Sequence, residues 1–291
     1  MSIRNIVFFI VFICLCLFQQ QTSMAAKKPG HSIKIKSFLK KVPDTLDENS
    51  GLIYWRGLLW THNDSGGKAE VYGFDPKKGN IEIVIEIENS LNTDWEDIAQ
   101  DERYIYIAET GNNRGTRTDL QVLRFEKQKI SFDTKQKVSV EKISFKYADQ
   151  TDFSDRNLNN EHDCEAIIAH NDTIYLFSKD WVKQITKVYA LPNIAGSHVI
   201  EAIDSFNVNG LVTGADLSSN GQLALVGYNN FEPFICLFQP NANGWFSVPK
   251  RYALPKFRFA QTEAICFAAK NQLLFSCEMT PQFKQQIWEA K

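Results

Sequence analysis

One short pattern recurs five times along this chain, and it limits the fold more than any other feature. Ser50-Gly51-Leu52, Glu96-Asp97-Ile98, Glu165-Ala166-Ile167, Thr213-Gly214-Ala215 and Glu263-Ala264-Ile265 each begin an apolar strand. A polar or glycine turn follows each one. A second apolar strand comes next: Leu58 to Trp60, Tyr104 to Ala108, Ile174 to Phe177, Leu223 to Val226 and Leu273 to Phe275. Each second strand ends in a polar cluster: His62-Asn63-Asp64-Ser65, Glu109-Thr110-Gly111-Asn112, Ser178-Lys179-Asp180, Tyr228-Asn229-Asn230 and Cys277-Glu278. Third strands follow at Glu70 to Phe74, Leu120 to Phe125, Lys187 to Leu191, Phe234 to Phe238 and Gln286 to Glu289. Outer strands follow at Ile81 to Ile87, Val138 to Tyr147, Val199 to Phe206 and Val248 to Leu254. Alternation with period two is clearest in Ile81, Ile83, Ile85 and Ile87. Four short antiparallel strands repeated in series are the blades of a β-propeller. A sandwich would also have many short strands, but not one motif at the same place in every unit.

The fold class is therefore all-β, a propeller of five blades with four strands each. A sixth blade is the alternative, hidden in the polar, acidic segment from Tyr147 to Cys164, which otherwise reads as a long loop. The fifth unit lacks an outer strand. Ser32 to Phe38 alternates cleanly and supplies one, so the ring closes through the N-terminal strand and two exposed strand edges disappear.

Ahead of that strand lies a targeting segment. Arg4 precedes an unbroken apolar run from Ile6 to Phe18, and Ser23-Met24-Ala25-Ala26 offers small residues for cleavage after Ala25. Such a run rises only ~20 Å as a helix, short of a ~30 Å hydrocarbon core. Residues 1–25 read as a signal peptide and 26–291 as one propeller domain, periplasmic or secreted, with no stable membrane insertion after cleavage. The 32 basic and 34 acidic residues nearly cancel, which argues against nucleic acid as a partner. Cys164, Cys236, Cys266 and Cys277 remain after cleavage, and their spacing is that of neither a zinc site nor a disulfide scaffold. They are expected as free thiols between strands.

The inner strand of each blade lines the central channel, so Glu96, Glu165 and Glu263 take equivalent places around the axis, with Ser50 and Thr213 at the other two. Glu48, Asp94, Asp163 and Asp216 lie within three residues of these places. Glutamates converging on one axis repel and raise each other's pKa unless a positive charge intervenes. A hard cation with oxygen ligands, Ca²⁺, answers that requirement. The competing reading makes the same glutamates struts that accept backbone N–H groups of the next blade, and one carboxylate can do both. His62 and Arg114 are further candidates for ligand binding at the channel mouth. His62 sits in a turn-forming sequence, and Arg114 and Arg117 follow the second strand of blade two. His162 beside Asp163 is a weaker candidate for a base with an orienting carboxylate.

Several of these stretches resemble a family of exported bacterial propeller proteins to which no activity is attached. They are Leu59-Trp60-Thr61-His62-Asn63-Asp64-Ser65-Gly66-Gly67, Asp94 to Asp101, Ile105 to Arg114, Tyr147 to Phe153 and Tyr189-Ala190-Leu191-Pro192. More distantly, the Ser-Gly-Leu and Glu-Ala-Ile strand starts resemble SdiA-regulated and phytase-like esterase propellers and five-bladed calcium-dependent apyrase nucleotidases. The resemblance implies a cation in the channel and, in some relatives, phosphoester or ester hydrolysis. Thr213 departs from a strict ring of five acids. Two functions follow as expectations. The first is a binding or scaffold propeller with a channel cation and an unknown small-molecule or envelope ligand. The alternative is a metal-dependent hydrolase acting at the channel mouth. No nucleophile with its base is evident, which favours the first.

Overall fold

The chain's computed structural model describes residues 32–240, 246–269 and 272–291. The expected signal peptide and its cleavage point lie outside the described residues, as do Lys270 and Asn271. The first described strand is an edge strand, β1 (Ile35–Leu39), and five sheets follow around one axis. Blade one holds β2 (Asn49–Trp55), β3 (Leu58–Asn63), β4 (Glu70–Phe74) and β5 (Ile81–Ile87). Blade two holds β6 (Trp95–Gln100), β7 (Tyr104–Glu109) and β8 (Gln121–Glu126); after β9 (Lys135–Val138) comes its outer strand, β10 (Glu141–Tyr147). Blade three holds β11 (Asp163–His170), β12 (Thr173–Lys179) and β13 (Thr186–Pro192), followed by β14 (Gly196–Ile200) and the outer β15 (Ala202–Phe206). Blade four holds β16 (Leu211–Leu217), β17 (Leu223–Asn229), β18 (Glu232–Phe238) and β19 (Lys250–Ala253). Blade five holds β20 (Thr262–Ala268), β21 (Gln272–Cys277) and β22 (Gln286–Ala290). The protein is a five-bladed β-propeller. The segment from Ala148 to His162 contains no strand, so the sixth-blade alternative falls away.

Closure follows the expected route. β1 pairs antiparallel with β22, placing Ile35 opposite Ala290 and Ser37 opposite Trp288, and Lys34 and Lys291 exchange backbone hydrogen bonds just beyond it.

Two outer strands depart from expectation. The stretch from Val138 to Tyr147 is not one strand. Lys135–Val138 crosses to blade one and pairs parallel with β5, while Glu141–Tyr147 stays with blade two. Likewise Gly196–Ile200 pairs parallel with β10 of blade two before Ala202–Phe206 completes blade three. The exchange covers the outer edge of the preceding blade, which would otherwise present unpaired N–H and C=O groups. Asn89 holds the first crossing by bonding both the N–H and the C=O of Val140, at 2.8 and 2.9 Å.

The core is a ring of five apolar clusters, each lying between two neighbouring blades. Trp60 and Trp95 share the cluster between blades one and two, and Tyr106 and Tyr189 share the next. The four described cysteines are free and sit in these clusters. Cys266 faces Leu274 and Cys277 faces Thr262, so the two thiols of blade five are out of register. Burial pushes the Cys164, Cys236 and Cys277 thiols up to about 12, well out of the reactive range.

Candidate functional site

Every inner strand carries a bulge at the repeated motif. Pairing breaks between Trp95 and Asp97, Cys164 and Ala166, Val212 and Gly214, and Thr262 and Ala264. Glu96, Glu165, Thr213 and Glu263 are therefore the residues without a cross-strand partner. A bulge bends the strand and re-aims the extra side chain, and here it sends three carboxylates to one end of the channel. In blade one the break spans Ser50 to Ile53, and Gly51 takes φ +66 there. A Cβ on Gly51 would run into the backbone of Asp97 and Ile98, which is why the slot holds glycine.

Small hydroxyls stitch the blades together at this level. Ser50 Oγ donates to Glu96 O at 2.5 Å, Thr110 Oγ1 to Cys164 O at 2.7 Å, and Thr213 Oγ1 to Thr262 O at 2.5 Å. Asp97, Asp163 and Asp216 are carboxylates that accept backbone N–H groups from neighbouring blades. Asp97 takes Ile167 N–H at 2.8 Å, and Asp216 takes Phe267 N–H at 2.6 Å. Asp216 is thus a strut, set apart from the acidic groups at the mouth, and burial raises it to about 7.

The mouth opens into a cavity of about 210 Å³ walled by Asp64, Glu96, Asn113, Glu165, Lys179, Trp181, Tyr228, Gln261, Glu263 and Glu278. Its two sides treat their acids differently. On the blade-three side the Lys179 ammonium is buried and ion-paired with Glu165. It also lies over Trp181 and Tyr228, 4.8 and 5.4 Å from the ring centres. Burial disfavours the charge, but Glu165, Tyr228, Glu263 and Asp163 outweigh it and hold Lys179 protonated. Asp163 accepts from Asn112 N–H at 2.7 Å and from Trp181 Nε1 at 2.8 Å.

On the side of blades one and two stand Asp64, Asp94 and Glu96, whose carboxylate oxygens lie within 4.8 Å of one another. Glu96, Asp163 and Glu165 form a second such set. Glu96 is 5% exposed, and among the described residues no hydrogen bond or ion pair reaches its side chain. Gly111 backs this group. A methyl group there would overlap Glu96 Oε1 and the Asp94 carboxylate, so glycine lets the two acids close against the backbone. Burial raises Glu96 well above the carboxylate range, with Glu165, Asp64, Asp163 and Asp94 adding repulsion. Burial brings Asp94 to about 7 and Asp64 to about 6, with help from neighbouring acids. Glu278, across the cavity, reaches about 8 for the same reasons.

The remaining candidates are scattered. Glu48 is exposed at the rim, where its carbonyl accepts Asp64 N–H at 2.9 Å. His62 is fully buried against the edge of Trp95, and desolvation lowers it to about 4, so it is neutral. Arg114 is exposed and ion-paired with Asp155 in the long loop. Arg117 binds Glu109 at 2.7 Å and the Gly111 carbonyl at 2.9 Å, and so buttresses the Gly111 turn. His162 does have an orienting carboxylate, but it is Asp149, at 3.1 Å, rather than Asp163. Lys179, Asp64 and Glu278 were not singled out from the sequence. The signal was present, because all three occupy the polar cluster that ends a second strand.

No protein-family model and no curated sequence matches the chain. Solved structures share its fold at low identity. The PQQ-bound aldose sugar dehydrogenase of Streptomyces coelicolor aligns over 91% of this chain and 99% of its own, with TM-score 0.53 and 11% identity. A glucose dehydrogenase aligns over 88% and 98%, with TM-score 0.52 and 7% identity. The exo-β-1,3-galactanase of Phanerochaete chrysosporium aligns over 88% of this chain and 64% of its own, with TM-score 0.54 and 12% identity. These likenesses establish a propeller and nothing finer.

Proposed function

We propose that this chain is a binding propeller of the cell envelope whose channel mouth takes a divalent cation, Ca²⁺ by the hardness of its ligands. The observation that carries the reading is the Glu96 carboxylate, buried without a partner and within 4.8 Å of Asp64 and Asp94. A buried acid with no donor costs free energy unless it stays protonated or meets a cation. The set that suits a cation is Asp64, Asp94 and Glu96. Glu165 already has Lys179, and Asp163 already has two donors. This refines the expectation that Glu96, Glu165 and Glu263 share one ion. Binding is favoured over hydrolysis because His62, two residues before Asp64, is fully buried against the edge of Trp95. Among the described residues no helix is long and apolar enough to cross a membrane.

Calorimetric titration of the chelated protein with Ca²⁺ tests the reading. Raised carboxyls must release protons as the metal enters, so the apparent heat changes with the ionisation enthalpy of the buffer. Saturation at ~100-fold over Kd adds about 2.7 kcal/mol, a rise of a few degrees in Tm. Glu96→Gln removes both signals. Heat and melting that ignore Ca²⁺ in the unsubstituted protein would sink the proposal.

A further inference from the structure

In each blade the chain enters the inner strand and leaves the second strand at the same end, so the loops at those places all surround the cavity. On blades three, four and five these loops carry half-exposed apolar side chains: Val182, Phe231, Phe259 and Met279. Each is close in sequence to a cavity wall. Val182 follows Trp181, Met279 follows Glu278, Phe259 comes two before Gln261, and Phe231 comes three after Tyr228. Phe231 and Phe259 both adopt left-handed backbone, with φ 64 and 70, where glycine is at ease and a bulky side chain is not. They are joined by a hydrogen bond from Phe259 N–H to Phe231 O at 2.8 Å, and their rings lie 5.7 Å apart. Strained backbone persists only where the surrounding structure holds it, and it clusters at active sites and ligand clamps.

We infer that this rim and the acidic wall behind it form a docking surface for a basic peptide segment, a Lys or Arg flanked by apolar residues. The inference rests on reading the mouth as a binding site and adds the class of partner. Charge complementarity selects the occupant. The wall carries Asp64, Glu96, Glu165, Glu263 and Glu278 against Lys179 alone. A cation held by Asp64, Asp94 and Glu96 leaves Glu263 and Glu278 of blade five beside the aromatic rim. Lys179 shows how the cavity accommodates an ammonium, between a carboxylate and two aromatic rings. An anionic lipid surface brings no cation to these acids.

The test uses fluorescent peptides built on the repeat Ser-Phe-Lys-Phe-Ser, with Glu in place of Lys in one control and Ala in place of Phe in another. Anisotropy titrations are run on the Ca²⁺-loaded protein. The Lys peptide should bind at least ~10-fold tighter than either control, a difference of about 1.4 kcal/mol. The double variant Phe231→Gly, Phe259→Gly should weaken binding by a similar factor without lowering Tm, since glycine relieves the left-handed backbone. Phe231→Tyr should keep the affinity. Four outcomes overturn the inference: equal binding of the Lys and Glu peptides, a double variant that melts earlier but binds as before, capture of the protein by phosphatidylcholine–phosphatidylglycerol vesicles in place of the peptide, or self-association that the double variant abolishes. Calcium titration of the same samples reads the cation separately, so either reading can fail while the other stands.

Discussion

The two sides of the channel mouth bury similar acids by opposite means. On the blade-three side, Asp163 and Glu165 are met by groups of the protein itself: Lys179, the Asn112 N–H and the Trp181 indole. Opposite them, Asp64, Asp94 and Glu96 crowd together with little but each other, and their pKa values rise. An acid supplied with donors and a counter-charge is a finished structural element. An acid of the same burial without them is held ready for something from outside. Burial alone therefore does not mark a site; burial without a partner does.

The sharpest way to break this contrast is to strip the blade-three side of its cation. Lys179→Met keeps the length of the side chain and removes the charge, leaving Glu165 and Asp163 in the state of their neighbours opposite. Losing one partner of a buried pair costs about 3–5 kcal/mol, so Tm should fall by roughly 10 °C. Added Ca²⁺ should recover more of that loss than it adds to the unsubstituted protein, because a second cation site has been uncovered. If Lys179→Met melts normally, the ion pair is not what stabilises that side.

Changing the pH acts on the unsupplied acids without any substitution. In the folded chelated protein Asp64, Asp94 and Glu278 titrate near 6, 7 and 8, while unfolded carboxyls titrate near 4. Between those values the folded state holds more protons, so stability falls as pH rises. His62 works in the other direction. It is held near 4 when folded, and it gives the unfolded state an extra proton only below about 6.5. From pH 6.5 to 8 the carboxyls dominate, opposed only near pH 8 by Lys127, which burial lowers to about 8, and the chelated protein should lose several degrees of Tm over that range. Ca²⁺ should flatten the curve. A chelated protein whose Tm is level from 6.5 to 8 would show the carboxyls ionised already.

Much of this arrangement could be read from the sequence, for reasons that also explain what could not. The blade count, the inner-strand starts and closure by β1 rest on alternation and repetition, which are local patterns. That Glu96, Glu165 and Glu263 line one end of the channel follows from the same repeat. Which groups they meet does not, because partners are set by hairpin register and by neighbouring blades together. Lys179 shows this best. In sequence it is a lysine in a polar turn, and most such lysines are solvated; the β11–β12 register sets it beside Glu165, and the ring adds Tyr228 of blade four. The crossings by β9 and β14 were missed because a parallel pairing with another blade leaves no mark in the strand that makes it. The struts were expected to be glutamates and are the aspartates Asp97, Asp163 and Asp216, whose shorter side chains keep the carboxylate close to the strand backbone.

Gly111→Ala sharpens the comparison at smaller cost. The added methyl overlaps the carboxylates of Glu96 and Asp94 and leaves the Lys179 side untouched. Overpacking of this kind costs about 1–3 kcal/mol, or a few degrees of Tm. The informative result is the Ca²⁺ response, which should disappear because two of its three ligands have been pushed apart. Retention of the full response would move the cation to the set formed by Glu96, Asp163 and Glu165.

Glu263→Gln should have the smallest effect. Glu263 belongs to the repeat as fully as Glu96 does, yet it is in neither group of acids close enough to share an ion. Burial raises its pKa well above the usual value despite Lys179, which makes the uncharged amide a mild replacement there. Tm should change by less than a few degrees, and the Ca²⁺-dependent shift should stay intact. The equivalent change at Glu96 removes that shift. Sequence equivalence predicts equal behaviour of the two glutamates, whereas the geometry of the mouth predicts that they part. A Glu263→Gln protein that loses its Ca²⁺ response would restore the symmetrical ring of glutamates and place the ion on the channel axis.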